Sequence, residues 1–197
     1  DLYEKFDLVK KIFKEADQKL NFPISKIILE GPDDKLKLTK NTQPAILTIS
    51  YSIFRLITEE FNIPIKDVKY FAGHSLGEYS ALVSSESLNF SDAVYLLFER
   101  GKSMQEAVPE SKGSMLAVMG LKIDELEKYI NKTVKDKGVC EIANDNSDTQ
   151  VILSGDKSAI DEINTILKKN KKKSIYLPVS APFHCSLMKP AAKVMED

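Results

Sequence analysis

The order of strand and helix patterns after residue 113 restricts the fold more than any other feature. Two amphipathic stretches, KIDELEKYINKTVKDK and DKSAIDEINTILKKN, alternate with four strand-like runs, GSMLAVMGL, GVCEIANDNS, TQVILSG and KKSIYLPVS. A polar turn between residues 144 and 149 predicts a hairpin of the middle two strands. The order β-α-β-β-α-β is the ferredoxin-like split motif. We therefore predict a small subdomain over residues 113–179, inserted into a larger α/β subdomain of residues 1–112 and 180–197.

A Gly-His-Ser-Leu-Gly sequence lies between two apolar segments, in FAGHSLGEYSALV. The preceding DVKYFAGHS is typical of a short buried strand, and the following GEYSALVSSE of a helix. Strand, Gly-x-Ser-x-Gly and helix form a nucleophile elbow. We expect Gly73 and Gly77 to give room for its tight turn and Ser75 to be the nucleophile. The backbone N–H of Leu76 would then face a developing oxyanion. In the alternative interpretation, Ser75 only caps the helix.

A nucleophilic serine needs a base, and the chain contains two histidines. His74 is adjacent to Ser75, and adjacent side chains on an elbow diverge, so His74 is a poor proton acceptor. His184 lies in LPVSAPFHCSLM, where the chain leaves the small subdomain, and a histidine in such a loop can act as a base. From spacing alone, a structural role for His184 is an equal alternative. Cys185 is a rival nucleophile, although an inert buried thiol is the simpler interpretation.

Arginine is rare in this chain. Arg55 and Arg100 are the only arginines among 28 basic side chains, and the rest are lysines. Because a guanidinium forms a flat bidentate fork, an arginine in a lysine-rich chain is a candidate for a specific role. Ordinary surface charge is the alternative for each.

The composition excludes several classes of protein. A net charge of −1 and 43% hydrophobic content do not indicate nucleic-acid or membrane partners. No stretch approaches the roughly 18 apolar residues of a membrane span. Two cysteines are too few for a disulfide scaffold and suit a reducing compartment. With no leader sequence in view, we expect a cytoplasmic protein.

Four sequence blocks together resemble one enzyme family. NTQPAILTIS, GHSLGEYSALV, FERGKSMQEAVP and LPVSAPFHCSLMKPAA occur in the order and spacing of malonyl-CoA:acyl-carrier-protein transacylases of fatty-acid synthesis. The resemblance covers essentially all 197 residues. It implies an α/β-hydrolase-like large subdomain with an inserted ferredoxin-like subdomain, which agrees with the pattern of elements above.

The resemblance also implies roles for individual residues. Ser75 would be the acylated nucleophile and His184 its base. Arg100, in ERGKSMQ, would bind the free carboxylate of the malonyl group, a target that suits a guanidinium. The alternative for Arg100 is an ion pair with Glu99 or Glu106 on its own helix.

Two further positions resemble the substrate site of the family. Met104, one helical turn after Arg100, resembles the apolar wall beside the malonyl group, and simple core packing is the alternative. Leu76 after the serine and Phe183 before the histidine look like malonyl-type choices. The implied substrates and partners are malonyl-CoA and acyl carrier protein, with no cofactor. We expect no metal site, because the two histidines lie far apart without the spacing of zinc ligands. We also expect a monomer.

The sequence is also compatible with other functions. Family members carry a Gly-Gln-Gly-Ser-Gln turn and a longer C-terminal part, neither of which is in this sequence. We therefore interpret the chain as a fragment, or as part of a longer chain, and leave open whether it is active alone. The alternatives are a polyketide-synthase-type acyltransferase, a serine esterase or thioesterase, and a non-catalytic fragment that docks a carrier protein through lysines of the segment 168–173.

Overall fold

The computed structural model describes residues 2–109, 111–134, 137–179 and 181–196. The chain divides into two compact units, of which the first ends at Lys102 and the second begins at Ser103. Ser75 and Arg100 therefore belong to the first unit, and His184 and Met104 to the second.

The regular elements in the described part of the first unit are all helical. A π-helical turn, Leu56–Glu60, extends the fifth helix. The helices are α1 (Leu2–Lys5), α2 (Asp7–Leu20), α3 (Ile24–Glu30), α4 (Asp33–Leu36), α5 (Thr39–Arg55), α6 (Gly77–Ser84) and α7 (Phe90–Glu106), the last of which continues past the boundary between the units.

Helix α2 illustrates how the apolar spacing forms the core of the first unit. Its buried residues recur on one helical face and are Val9, Ile12, Phe13 and Ala16. Asn21 ends the helix with a left-handed backbone (φ 55°), a conformation that asparagine tolerates. Helices α2, α3, α5, α6 and α7 contribute to the main apolar cluster, which contains Ile12, Ala16, Ile24, Ala45, Leu47, Val83, Phe90, Ala93, Val94 and Leu97.

The buried strand expected before the Gly-x-Ser-x-Gly turn is not observed. Residues 68–73 have no regular secondary structure, and Tyr70 is 87% exposed. A strand forms only through hydrogen bonds to a neighbouring strand. Because no strand is present among the described residues of the first unit, this segment has none to pair with. The prediction of a buried strand was therefore wrong, although the turn and the helix after it are present.

The second unit contains an antiparallel sheet and several helices. They follow the β-α-β-β-α-β order expected from the sequence, and a 3₁₀ turn, Ser186–Met188, leads into the last helix. The elements are β1 (Gly113–Met119), α8 (Ile123–Thr133), β2 (Cys140–Ser147), β3 (Gln150–Asp156), α9 (Lys157–Lys169), β4 (Lys173–Tyr176) and α10 (Lys189–Glu196). The fold is therefore mixed α/β.

The two faces of this sheet have different neighbours. The strand order is β2-β3-β1-β4, and each neighbouring pair is antiparallel. Side chains alternate between faces along a strand. Leu116 and Val118 on β1 join a core with residues of α8 and α9. Met115 and Ala117 belong to a separate cluster that includes Phe183. The residue before His184 thus packs on the face opposite the helices.

Candidate active site

Ser75 lies at the sharpest point of the turn that precedes α6. Its φ is +56°, a left-handed conformation that is uncommon for residues other than glycine and often marks a functional site. The N–H of Gly77 donates to the His74 carbonyl at 2.9 Å, and that of Glu78 donates to the Ser75 carbonyl at 3.1 Å. These contacts close the turn around the serine, as in a nucleophile elbow.

The two glycines of the turn are not equivalent. A Cβ atom at Gly73 would lie 1.8 Å from the Gly77 carbonyl oxygen and 2.0 Å from its carbonyl carbon. A Cβ atom at Gly77 would meet no atom within 4 Å. The expectation that both glycines give room to the turn therefore holds at Gly73 only.

We expect Gly73→Ala, but not Gly77→Ala, to destabilise the protein. The first substitution forces a methyl group into backbone atoms and should lower the free energy of unfolding by about 3 kcal/mol. The second replaces glycine at the start of α6 and should leave that free energy unchanged or raise it by up to about 1 kcal/mol. Urea unfolding of both variants measures the difference. Equal stabilities would contradict the close approach at Gly73.

Leu76 provides a backbone N–H beside the serine. Its dihedral angles are already helical (φ −61°, ψ −23°), and its side chain packs against the main cluster of the first unit. The three N–H groups that follow it, of residues 77–79, all donate to carbonyls within the turn. The Leu76 N–H has no acceptor among the residues that the structure describes. It can therefore donate to an oxyanion that forms on an acyl group at Ser75.

The guanidinium of Arg100 lies directly beside the serine. Its Nη2 donates to Ser75 Oγ at 3.1 Å, and its Nη1 donates to Gln43 Oε1 at 2.6 Å. Burial lowers the pKa of Arg100, an effect that the nearby Tyr79 and Glu78 partly oppose. Both of these contacts go to uncharged side chains, so they orient the guanidinium without neutralising its charge. The structure thus brings the Ser75 hydroxyl and the Arg100 guanidinium into contact.

The other arginine has a different environment. Arg55 contacts the carboxylate of Glu59 on the adjoining turn, and its Nη1 donates to the Tyr51 hydroxyl at 2.7 Å. The contact with Glu59 is the largest cause of a raised pKa at Arg55. Arg55 therefore forms a local ion pair with Glu59. Because of this pairing, Arg55 is a suitable control for experiments on Arg100.

A close approach between α7 and the start of α5 sets the position of Arg100. A Cβ atom at Gly101 would lie 2.5 Å from the Thr39 carbonyl oxygen and 2.7 Å from Lys40 Cα. Only glycine allows the two helices to approach this closely. The contact places Arg100 next to Gln43, which accepts its hydrogen bond.

Gln43 was not among the residues predicted for the site. It is only 4% exposed, although it is polar. The available signal was a glutamine within an otherwise apolar helical pattern in NTQPAILTIS. A buried amide needs a hydrogen-bond partner, but the sequence does not tell which one, because Arg100 is 57 residues further along the chain.

His184 lies in a constrained loop of the second unit. Its side chain is exposed, and its φ is +58°. Just before it, Pro182 packs so tightly on β1 that a Cβ atom at Gly113 would lie 2.3 Å from the proline ring. The Cys185 thiol contacts the Pro182 carbonyl oxygen at 3.1 Å. The histidine is therefore accessible, while the backbone before it is held by the sheet.

Met104 and Cys140 are buried in the second unit, and Cys185 is partly buried there. Met104 belongs to an apolar cluster with Val108 and Met188, beside Phe183. Burial raises the pKa of Cys140 to about 12 and also raises the pKa of Cys185. Because only a thiolate is strongly nucleophilic, these shifts disfavour Cys185 as a rival to Ser75.

Two other kinds of feature are absent from the described residues. No cluster of three or more histidine, cysteine, aspartate and glutamate side chains in the described ranges is arranged to hold a metal ion. In the same part of the chain, none of the helices has the length and apolar character needed to cross a bilayer.

A serine in a strained turn beside a half-buried guanidinium can carry an acyl ester next to a cation that binds carboxylates. Comparison with known proteins identifies the family directly. The chain belongs to the acyl transferase domain family, whose model matches residues 1–197.

The similar proteins carry more specific names. The chain is 39% identical to the malonyl CoA-acyl carrier protein transacylase of Bacillus subtilis, over 100% of this chain and 61% of that protein. A solved acyl-carrier-protein S-malonyltransferase from Bartonella henselae is 41% identical with a TM-score of 0.93, over 99% of this chain and 62% of its own. A malonyl-transacylase solved with its type II PKS acyl-carrier protein is 38% identical with a TM-score of 0.92, again over 99% and 62%. The chain thus spans about three fifths of these relatives.

Proposed function

We propose that this chain carries the acylation site of a malonyl-CoA:acyl-carrier-protein transacylase of fatty-acid biosynthesis. The observation that supports this most directly is the 3.1 Å contact between Arg100 Nη2 and Ser75 Oγ. It places a carboxylate-binding group next to the atom that would be acylated. The names of the similar proteins support the same substrate pair, malonyl-CoA and acyl carrier protein.

The short separation of these groups fits a malonyl group. In malonate a single methylene joins the two carboxyl carbons, so they lie roughly 2.5 Å apart at ordinary bond lengths. An acyl carbon that bonds to Ser75 therefore brings the free carboxylate within reach of Arg100. An acetyl group has no carboxylate to offer, and a longer dicarboxylic acyl group would place its carboxylate further from the serine.

The proposed reaction transfers the acyl group twice. His184 takes the proton of the Ser75 hydroxyl, and Oγ bonds to the malonyl carbonyl carbon, whose oxygen accepts from the Leu76 N–H. The carbon–sulfur bond then breaks, and coenzyme A leaves as a thiol with the proton from His184. In the second half, the phosphopantetheine thiol of the carrier protein attacks the malonyl-serine ester, with His184 again moving the proton. These steps need no cofactor.

The roles of His184 and Met104 rest on the resemblance of their sequence blocks. Exposure and a strained backbone at His184 support a functional rather than a structural histidine. Met104 is proposed as the apolar wall beside the malonyl methylene, while its buried cluster accounts for it equally well as packing.

The division of the chain into two subdomains is also proposed. We propose an α/β-hydrolase-like large subdomain of residues 1–112 and 180–197 and a ferredoxin-like small subdomain of residues 113–179. The strand order β2-β3-β1-β4 within a β-α-β-β-α-β unit supports the latter. We further propose a cytoplasmic monomer with no nucleic-acid, membrane or metal partner.

Incubation of the full-length protein with radiolabelled malonyl-CoA tests the function. We expect covalent label on the protein, which then moves to added holo acyl carrier protein. A protein that takes no label would instead support the carrier-docking alternative. Label that is lost to water without a carrier would indicate an esterase or thioesterase. Faster labelling by a branched extender thioester than by malonyl-CoA would indicate a polyketide-synthase-type acyltransferase.

A further inference from the structure

Glu141 forms a two-point contact with the loop that carries His184. The Ser186 N–H donates to Glu141 Oε2 at 2.8 Å, and the Ser186 hydroxyl donates to Glu141 Oε1 at 2.6 Å. The two residues are 45 positions apart in the sequence. Both carboxylate oxygens are thus engaged by one residue, which fixes its backbone and its side chain together.

The strand alternation explains why Glu141 can reach this loop. Cys140 and Ile142, its neighbours on β2, pack into the core shared with α8 and α9. Glu141 therefore lies on the opposite face of the sheet. Phe183 packs on that same face, with Met115 and Ala117 of β1.

The loop is held on both sides of His184. Before it, Pro182 packs against Gly113 at the start of β1. After it, Ser186 is bound by Glu141. Between these points the backbone of His184 is in the left-handed region, at φ +58°. A residue other than glycine stays in that region only where its surroundings impose the conformation.

We propose that Glu141 is a positioning residue, which anchors Ser186 to the sheet and so sets the direction of the His184 imidazole. This inference rests on the proposed function, in which His184 is the base for Ser75. Glu141 acts through the backbone and not as a group that touches the substrate, because Ser186 engages both of its oxygens.

The test measures single-turnover acylation of Ser75 by malonyl-CoA in the full-length protein. Glu141→Ala should slow acylation at saturating malonyl-CoA about 10-fold, since hydrogen bonds to a carboxylate are lost and the base is misplaced. The half-saturating concentration should stay unchanged, because binding does not use the base. Glu141→Gln should keep most of the rate, because its amide can accept from the Ser186 N–H and donate to the Ser186 hydroxyl. Glu162→Ala removes a carboxylate from α9 of the same unit and should have no effect.

Two further measurements test the contact between Glu141 and Ser186 separately. Hydrogen exchange at the Ser186 amide should be faster in Glu141→Ala, a result that does not depend on any activity. Ser186→Ala removes only the hydroxyl contact and should slow acylation less than Glu141→Ala. If Glu141→Ala does not fold, the rate of Ser186→Ala decides.

The outcomes separate this inference from the proposed function. A wild-type protein that takes no label contradicts the proposed function. Wild-type labelling together with an unchanged rate in Glu141→Ala, or in Ser186→Ala where that variant decides, overturns the positioning role. So does a Glu141→Gln variant as slow as Glu141→Ala, because that result would implicate the charge and not the anchor.

Discussion

Ser75→Ala in the full-length protein should abolish covalent malonylation and leave the fold intact. The variant retains the Cβ atom and loses the oxygen that would form the ester. Arg100 donates to that oxygen and also to Gln43, so the guanidinium keeps a partner when the hydroxyl is removed. The free energy of unfolding should therefore fall by only about 1 kcal/mol. Intact mass spectrometry after incubation with malonyl-CoA measures the adduct.

The control for this experiment is Cys185→Ala. Partial burial raises the pKa of its thiol, so its removal should leave malonylation in place. An adduct that persists in Ser75→Ala and disappears in Cys185→Ala would reverse the assignment and make the cysteine the nucleophile.

The second large effect is expected at Arg100. Arg100→Ala should reduce malonyl transfer far more than acetyl transfer, because only the malonyl group has a carboxylate for the guanidinium. A charge-assisted bidentate contact in a half-buried site is worth roughly 2–4 kcal/mol. Selectivity for malonyl over acetyl should therefore fall by about 30- to 1000-fold. Competition between the two labelled coenzyme A thioesters measures this ratio. Arg100→Lys should restore part of it, since an ammonium is not a fork.

Two other variants serve as controls for Arg100→Ala: one should leave the selectivity unchanged, and the other should reduce it in part. Arg55→Ala removes the other arginine, which is paired with Glu59, and should not change the ratio. Gln43→Glu keeps Arg100 in place but puts a carboxylate where its amide partner was, and should lower the ratio about 10-fold through partial neutralisation. Equal proportional losses of malonyl and acetyl transfer in Arg100→Ala would contradict the carboxylate contact, as expected if Arg100 only pairs with Glu99 or Glu106.

The turn at Ser75 was predictable because its information is local. A Gly-x-Ser-x-Gly sequence before a helix predicts a tight turn, and the positive φ of Ser75 is consistent with one. The segment before it was mispredicted for the opposite reason. Apolar residues at 68–73 favour a strand, but a strand also requires a neighbouring strand, which a local pattern does not reveal.

Contacts between distant residues were beyond what the sequence could tell. The pairing of Gln43 with Arg100 depends on the approach of α7 to α5, and the pairing of Glu141 with Ser186 depends on the sheet. In both cases residue type is compatible with many partners, and only the fold selects one. Arg100 itself was identified through the resemblance of its sequence block, with support from the rarity of arginine.

In the proposed reaction, the glycine at position 101 also limits which acyl groups can be transferred. Its missing side chain allows α7 to approach the backbone at Thr39 and Lys40, and Arg100 is the residue immediately before it on that helix. If Ser75 is the nucleophile as proposed, its distance from the Arg100 guanidinium is therefore set by the packing of the neighbouring glycine on Thr39 and Lys40. Evolution or engineering toward longer dicarboxylic chains could thus begin in the packing of two helices, with every residue that contacts the acyl group unchanged.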